Sequence, residues 1–563
     1  MSADFPVALI FILGAVVVPF TRGTLRAAYT VALPLIAFAW LLMLPSGEYG
    51  QLQVLGHTLI LMRVDRLSLL FGYVFVIAAL VNAIYALHVD DTTQHVAGLV
   101  YAGSALGAVF AGDLLTLFVY WELTAVSSVL LIWARQTERA FRAGMRYVIV
   151  QLASGMLLLI GAALHLQEGG TLYFGELGLN TLGSYLILGA FGIKCAFPLL
   201  HNWLQDAYPE ATVTGTVVLS AFTTKLGIYA LARGYPGTEM LIWIGAVMTV
   251  FPIFYAVIEN DLRRVLAYSI NNQLGFMVVG IGIGTELALN GAVAHAFADI
   301  IFKALLFMSM GAVLLRTGTV NGSELGGLYK SMPWTAGFCM VGAASISGFP
   351  LFSAFVTKSM IMVAAADLGH QWVWLVLLFA SAGVLEHAGI KIPYFAFFAH
   401  DSGIRCKEAP MNMLVAMAIA ATLCIGIGVF PGALYAVLPY PVDYEPYSLS
   451  HVVIQLQLLV FAVLAVFFLM RTGIYPPELR SVNLDFDWTY RRLAPAFVAG
   501  VSRAHSALFG ALGAQIDATG RRFFERLYRH HGPEGLLART WPTGSMALWV
   551  MIMLLAYLLL YYL

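Results

Sequence analysis

Gly189-Ala-Phe-Gly-Ile-Lys194-Cys-Ala-Phe-Pro198-Leu-Leu200 is the stretch that decides the fold. It lies inside an apolar run from about 180 to 203, long enough for a membrane-crossing helix, because roughly 20 residues cover the roughly 30 Å of hydrocarbon. Proline removes a helical hydrogen bond. Backbone freed at that depth is tolerated only where protein or a wet cavity covers it. The run therefore reads as a broken span with a lysine beside the break. A second run, 334–369, repeats the pattern with Ser345-Ile-Ser-Gly-Phe-Pro350-Leu-Phe ahead of Lys358. Two alike breaks point to two related halves, the inverted repeats with broken helices found in transporters.

The rest of the chain has the same character. Of 563 residues, 60% are apolar and only 11% charged, with a net charge of zero. A soluble domain of this size could not cover so much apolar surface, so the fold class is an all-α polytopic membrane protein with about 14 to 16 transmembrane helices. Nucleic acid is not expected as a partner, since no long basic run occurs. The apolar run 7–20 has neither a basic region before it nor a small-residue cleavage pattern after it, and reads as a first span. Cys195, Cys339, Cys406 and Cys424 are isolated, which argues against iron-sulfur, structural zinc and disulfides. The histidines show no facing pair suited to haem. No lysine follows a glycine, so there is no P-loop, and any work must come from an ion gradient or from partner subunits.

Basic residues in alternate connections, such as Arg135, Arg139, Arg142 and Arg146, then Arg263 and Arg264, then Arg405 and Lys407, mark the expected cytoplasmic side. The N-terminus then lies outside a plasma membrane. The organisation reads as N-terminal helices in 1–90, a first ion-translocating repeat in 91–235, a second in 236–400, and further spans in 401–475. An amphipathic, arginine-bearing stretch at the cytoplasmic surface follows in 476–540, then a final helix in 541–563.

Seven lysines stand against 23 arginines, and five of the seven, Lys194, Lys225, Lys303, Lys358 and Lys391, fall inside apolar runs. Apolar surroundings favour loss of the proton from an amine, whereas a guanidinium keeps its charge. Lysine at depth is thus suited to proton exchange. Glu122, mid-span in Tyr120-Trp121-Glu122-Leu123, needs a cation nearby, and Lys194 is the natural candidate. His295, Asp299 and Lys303 recur every four residues and stack on one helix face as a possible proton wire. Lys225 and Lys358 extend the same polar axis. Lys391, with Glu386 and His387 beside it, sits nearer the end of its span, where a lysine stem can snorkel. His201, Asp206 and Glu210 close the first broken span at the cytoplasmic side, where they could gather protons at a mouth, but read rather as solvated loop residues.

These motifs resemble the antiporter-like membrane proteins shared by respiratory complex I, membrane-bound hydrogenases and Mrp-type sodium/proton antiporters, with the Mrp D subunit the nearest in character. The resemblance rests on Asp113-Leu-Leu-Thr-Leu-Phe-Val-Tyr-Trp-Glu122, on Lys194 to Ala211, on Lys225-Leu-Gly-Ile-Tyr, on Leu266-Ala-Tyr-Ser, on His295 to Phe307, and on Ser345 to Lys358. It implies that the family's charged residues of the fifth, seventh, eighth, twelfth and thirteenth spans fall on Glu122, Lys194, Lys225, Lys358 and Lys391. It further implies an ion-transport subunit without cofactor, working beside other membrane subunits on protons and monovalent cations. A redox-driven pump arm and an energy-coupling subunit of inorganic-carbon uptake are the alternatives. Three features depart from the pattern: Asp299 stands where relatives carry histidine, Ala211-Thr-Val-Thr replaces Ala-Pro-Thr, and residues 484–563 exceed the length usual for the Mrp D subunit.

Overall fold

A computed structural model describes residues 5–54, 56–480, 483–536, 538 and 542–563. They form two compact units, Met1–Asn483 and Leu484–Leu563. Twelve of the described helices are long and apolar enough to cross a membrane, and Val7–Phe20 and Leu182–Lys194 are shorter apolar helices. The chain is a polytopic all-α membrane protein.

In the first unit, Val7–Val17 (α1) and Gly23–Met43 (α2) lead into an antiparallel hairpin, Gly47–Val54 (β1) and His57–Val64 (β2), and then Arg66–Tyr85 (α3). Among the described residues, the hairpin is a regular element that the helical reading of the sequence did not contain. Its outer strand is half polar and too short to span, and Gly50 within it has a φ of 67°. It is anchored where the Ile60 amide donates to Asp113 Oδ2 at 2.8 Å and the Gly112 amide donates to the Ile60 carbonyl at 3.0 Å.

Two five-span repeats follow. The first holds Thr92–Phe110 (α4), Leu114–Trp133 (α5), Glu138–Gln167 (α6), the broken pair Leu182–Lys194 (α7) and Asn202–Ala207 (α8), and Val213–Ala221 (α9) with Thr223–Gly234 (α10). The second holds Glu239–Ile258 (α11), Leu262–Ile283 (α12), Glu286–Thr317 (α13), the broken pair Pro333–Ile346 (α14) and Ser353–Asp367 (α15), and Gln371–Val384 (α16). The last of these continues through a π turn, Leu385–Ile390, then Lys391–Pro393 (α17), and a second π turn, Tyr394–Phe398.

Both predicted breaks are present, and they match in detail. Each places a leucine directly after the proline in the left-handed region, Leu199 at φ 70° and Leu351 at φ 73°. A side chain with a Cβ adopts that conformation only when its surroundings over-determine it. The repeats share a second device. Asp113 caps the N-terminus of α5 and Asp261 that of α12, and each bridges to a residue just past the third span, Tyr173 and Asn321, sixty residues downstream in both cases.

Met411–Val429 (α18), Pro431–Tyr435 (α19) and Leu449–Thr472 (α20) complete the first unit. The second contains a 38-residue helix, Ala494–His531 (α21), and Thr543–Tyr562 (α22). Along α21 apolar residues recur at three- and four-residue steps, among them Phe497, Val501, Leu512 and Ile516, with Arg521, Arg522, Arg526 and Arg529 in its last third.

Asp65 ties the hairpin to the first repeat. It caps α3 in a capping box with Ser68, pairs with Arg63 at 3.2 Å, and accepts both arms of the Arg233 guanidinium at 2.8 Å each. Burial alone would raise its carboxyl, but Arg233, the Ser68 amide and Arg63 outweigh that and hold it below the ordinary carboxylate value. A depressed carboxyl contributes stability above its unfolded value and loses it as the pH falls through its folded one. Asp65→Asn should therefore cost on the order of 2 kcal/mol at neutral pH. In thermal unfolding in detergent, the gap to the parent should stay constant on the alkaline side and close only below about pH 4.

Candidate buried charge row

Lys194, Lys225, Lys303, Lys358 and Lys391 are buried, as are Asp299, His295 and His387, and Glu122 and Glu386 are half-buried. Lys194 ends the first half of the broken span, so its stem emerges at the break. Its ammonium donates to the Trp121 carbonyl at 2.8 Å and to Thr124 Oγ1 at 2.5 Å, and lies 4.2 Å from the Trp121 ring centroid. The expected partner Glu122 is close in sequence to both acceptors, yet the ammonium is held by the α5 backbone and a hydroxyl. Glu122 Oε1 has no hydrogen-bond partner among the described residues. The Glu122 carboxyl occupies the space left by the missing side chain of Gly155 on α6, where a Cβ would collide with it.

Lys225 is placed by a kink. Helices α9 and α10 meet at Phe222, whose φ of −105° and ψ of −62° interrupt the ladder. The Lys225 ammonium donates to the Ser220 carbonyl at 3.1 Å, across this kink. It also lies 2.6 Å from Asp299 Oδ2 on α13, and neither side chain has exposed surface. Sequence reading put Asp299 on a stripe with His295 and Lys303, but helical spacing cannot show which residue of another span faces it. The pair joins the last span of the first repeat to the third span of the second.

The stripe on α13 is fully buried. His295 contacts Thr357 Oγ1 through Nδ1 and Gln273 Oε1 through Nε2, both at 3.0 Å. Thr357 immediately precedes Lys358. Lys303 donates to Ser269 Oγ at 2.5 Å. The Lys358 ammonium has no hydrogen-bond partner among the described residues and sits 4.7 Å from the Phe276 ring centroid. Three consecutive amides stand on α12, of which Gln273 contacts the stripe at His295. Gln273 donates to Asn272 Oδ1 at 2.6 Å, Asn272 donates to the Thr249 carbonyl of α11, and Asn271 donates to the Ala196 carbonyl in the first break at 3.2 Å. Their signal in the sequence was plain: Asn271-Asn272-Gln273 stands in the middle of an apolar run, where uncharged polar groups need partners.

Lys391 lies between the two π turns, a geometry that recurs at functional positions in helices. Its ammonium is buried. It donates to the carbonyls of Val257 at 2.6 Å and Glu259 at 2.7 Å, and lies 2.9 Å from Glu478 Oε1. Glu386 accepts from the Tyr475 hydroxyl at 2.7 Å. Neither ring nitrogen of the buried His387 has a partner among the described residues. Glu478 and Tyr475 were not singled out from the sequence, because they follow the last span of the unit in a polar stretch.

The solvated reading of His201, Asp206 and Glu210 is corrected: His201 and Glu210 are buried, and the acids are paired, Asp206 with Arg146 at 2.6 Å, and Glu210 with Arg139 at 2.8 Å and Arg135 at 3.4 Å. Two arginines at helix ends are buried as well. Arg263 has 1% exposure and donates to the carbonyls of Tyr208, Ala211 and Thr212, and Arg233 is buried against Asp65 and Tyr229. Among the described residues no group of three or more His, Cys, Asp or Glu side chains could hold a metal ion.

Removing one partner of a buried ion pair leaves an uncompensated charge and costs about 3–5 kcal/mol, whereas replacing both by apolar groups is close to neutral. Lys225→Met and Asp299→Leu should each lower the thermal unfolding midpoint sharply, and the double variant should recover most of that loss. Gly155→Ala should displace the Glu122 carboxyl and reproduce the transport phenotype of a Glu122 substitution, measured as ion flux in vesicles, with little change in folding.

Residues 111–385 match the family described as NADH:quinone oxidoreductase/Mrp antiporter, TM. The D subunit of the Na(+)/H(+) antiporter of Alkalihalophilus pseudofirmus is 30% identical over 348 residues, 58% of this chain and 70% of that relative. Among solved structures, a chain of the Mrp complex from Dietzia sp. aligns with a TM-score of 0.69 at 22% identity, over 81% of this chain and 99% of that one. A chain of the membrane-bound sulfane sulfur reductase, an archaeal respiratory membrane complex, aligns with a TM-score of 0.71 at 21% identity, over 98% of this chain and 99% of that one. At these identities the solved structures speak to the fold alone, while the sequence matches carry the assignment: the chain belongs to the NADH:quinone oxidoreductase/Mrp antiporter family of membrane subunits.

Proposed function

We propose that this chain is the ion-translocating subunit of a hetero-oligomeric Mrp-type antiporter in a plasma membrane, exchanging protons for a monovalent cation. Protons move along Glu122, Lys194, Lys225, Asp299, His295, Lys303, Lys358 and Lys391. The observation that carries this reading is the Lys225–Asp299 pair, 2.6 Å apart at the meeting of the two repeats. An isolated charge on a lone helix at the bilayer centre can cost ~10 kcal/mol or more. A scaffold has no use for so many. A row of amines and carboxylates can relay protons because the charge on each group sets the proton affinity of the next. The hydroxyls and amides that contact the row, Thr124, Ser269, Gln273 and Thr357, both donate and accept, so they can orient each head without fixing its proton.

A second reading has its own support. The archaeal respiratory chain aligns over 98% of this chain, against 81% for the Mrp chain, so its similarity extends into the C-terminal stretch. On that reading the same row pumps protons for a redox complex whose chemistry lies in other subunits. Intact-mass measurement of the purified complex separates the two, since iron-sulfur subunits belong to the redox machine alone.

The relay is checked by proton and sodium flux in vesicles holding the whole complex. Glu122→Gln and Lys225→Ala should each reduce flux by at least about a hundredfold, the scale on which positioned proton-transfer groups act. Flux unchanged in both would refute the row.

A further inference from the structure

Residues 475–480, with Asn483 beyond them, form a strap over one end of the second repeat, attached by four polar links. Tyr475 donates to Glu386 at 2.7 Å, Glu478 lies 2.9 Å from the Lys391 ammonium, Arg480 lies 2.5 Å from Glu324, and Asn483 donates to Glu259 Oε2 at 3.2 Å. The links reach a π turn, α17, the connection after α13, and the end of α11. So many attachments in so short a segment fix the position of 475–480, although these residues are neither helix nor strand.

The chemistry at the Lys391 head is specific. Of the three partners of this ammonium, two are backbone carbonyls, which cannot take a proton at accessible pH. The third is Glu478, whose side chain is 5% exposed and which alone among the three can do so. We propose that Glu478 is a proton-exchanging member of the row, taking the proton from Lys391 and passing it to water, with the 475–480 strap as its mount. The inference rests on the relay reading above and deepens it.

The step balances without a further reactant. One Nζ–H bond breaks and one Oε–H bond forms, turning the ion pair into a neutral amine and a neutral acid. The acid then loses its proton to water while the amine is recharged from the row. Burial pushes the Glu478 carboxyl up and the Lys391 charge pulls it back, leaving it above the ordinary value and nearer to the working pH. The groups around it are Lys391 of α17, Glu386 of the π turn, Glu259 at the end of α11 with Arg264 of α12 at 3.8 Å from it and Asn483 bonded to it, and Tyr475 of the strap. The three carboxylates, Glu478, Glu386 and Glu259, outnumber the two cations, Lys391 and Arg264, so a proton has a place to rest there.

A static ion pair makes the opposite forecast from a proton exchanger when both charges are removed. The test uses the whole complex in vesicles with an internal pH dye, and native mass measurement to verify incorporation of each variant. Glu478→Gln should lower proton flux at least about tenfold, and Glu478→Asp should retain flux with a displaced pH optimum. Lys391→Met combined with Glu478→Gln should stay inactive while assembling normally. Parent-like flux and pH profile in Glu478→Gln, an unmoved optimum in Glu478→Asp, or recovery of flux in the double variant would each overturn the proposal. Glu122→Gln and Lys225→Ala run alongside: if they too leave flux intact, the row itself is wrong, and if they abolish it while Glu478→Gln does not, only the role of Glu478 falls.

Discussion

An ammonium and a carboxylate 2.6 Å apart, both without exposed surface, set the terms for this fold. Each charge alone would be too costly at that depth, so the two must arrive together, and they come from different repeats. The pairing thus requires that α10 and α13 pack in one register. It also explains the kink at Phe222. In a straight α9–α10 helix the Ser220 carbonyl would bond within the helix, and the kink leaves it to accept from the Lys225 ammonium as a second contact. The local distortion and the long-range ion pair are two sides of one solution for a single buried head.

The same logic accounts for the breaks. An interrupted span leaves carbonyls and room for polar side chains of other helices. In the first break the Ala196 carbonyl takes Asn271 of α12. In the second, Thr357 one turn past the break reaches His295. The Phe-Pro-Leu motif, with its leucine held at positive φ in both repeats, is therefore a joint between helices. Its strain is the local cost of placing polar groups at depth.

Much of this was visible in the chain. The spans, both breaks and the burial of the lysines follow from apolar run length, from Pro198 and Pro350, and from where Lys194, Lys225, Lys303, Lys358 and Lys391 fall. Helical periodicity gave the His295–Asp299–Lys303 face. It could not give Lys225–Asp299, because facing across spans depends on helix rotation and tilt, which a sequence does not encode locally. Nor could it give Glu478. A polar residue past the last span of the unit looks solvated until the strap that carries it is seen to turn back onto Lys391.

The contrast between the two cationic residue types carries the functional argument further. Where the interior holds arginine, the guanidinium is spent on permanent work: Arg263 gathers three carbonyls at the start of α9, and Arg233 locks Asp65 with two parallel bonds. Such multivalent contacts suit a charge that never leaves. Three of the five lysines are held more lightly, whereas Lys225 and Lys391 each meet a carboxylate. Lys303 has one hydroxyl partner, Lys194 a hydroxyl and a carbonyl, and Lys358 an aromatic face. A head held by one or two neutral acceptors loses less when it becomes a neutral amine than one locked into a fork. The distribution of contacts, more than the number of buried charges, is what supports the relay proposed for this row.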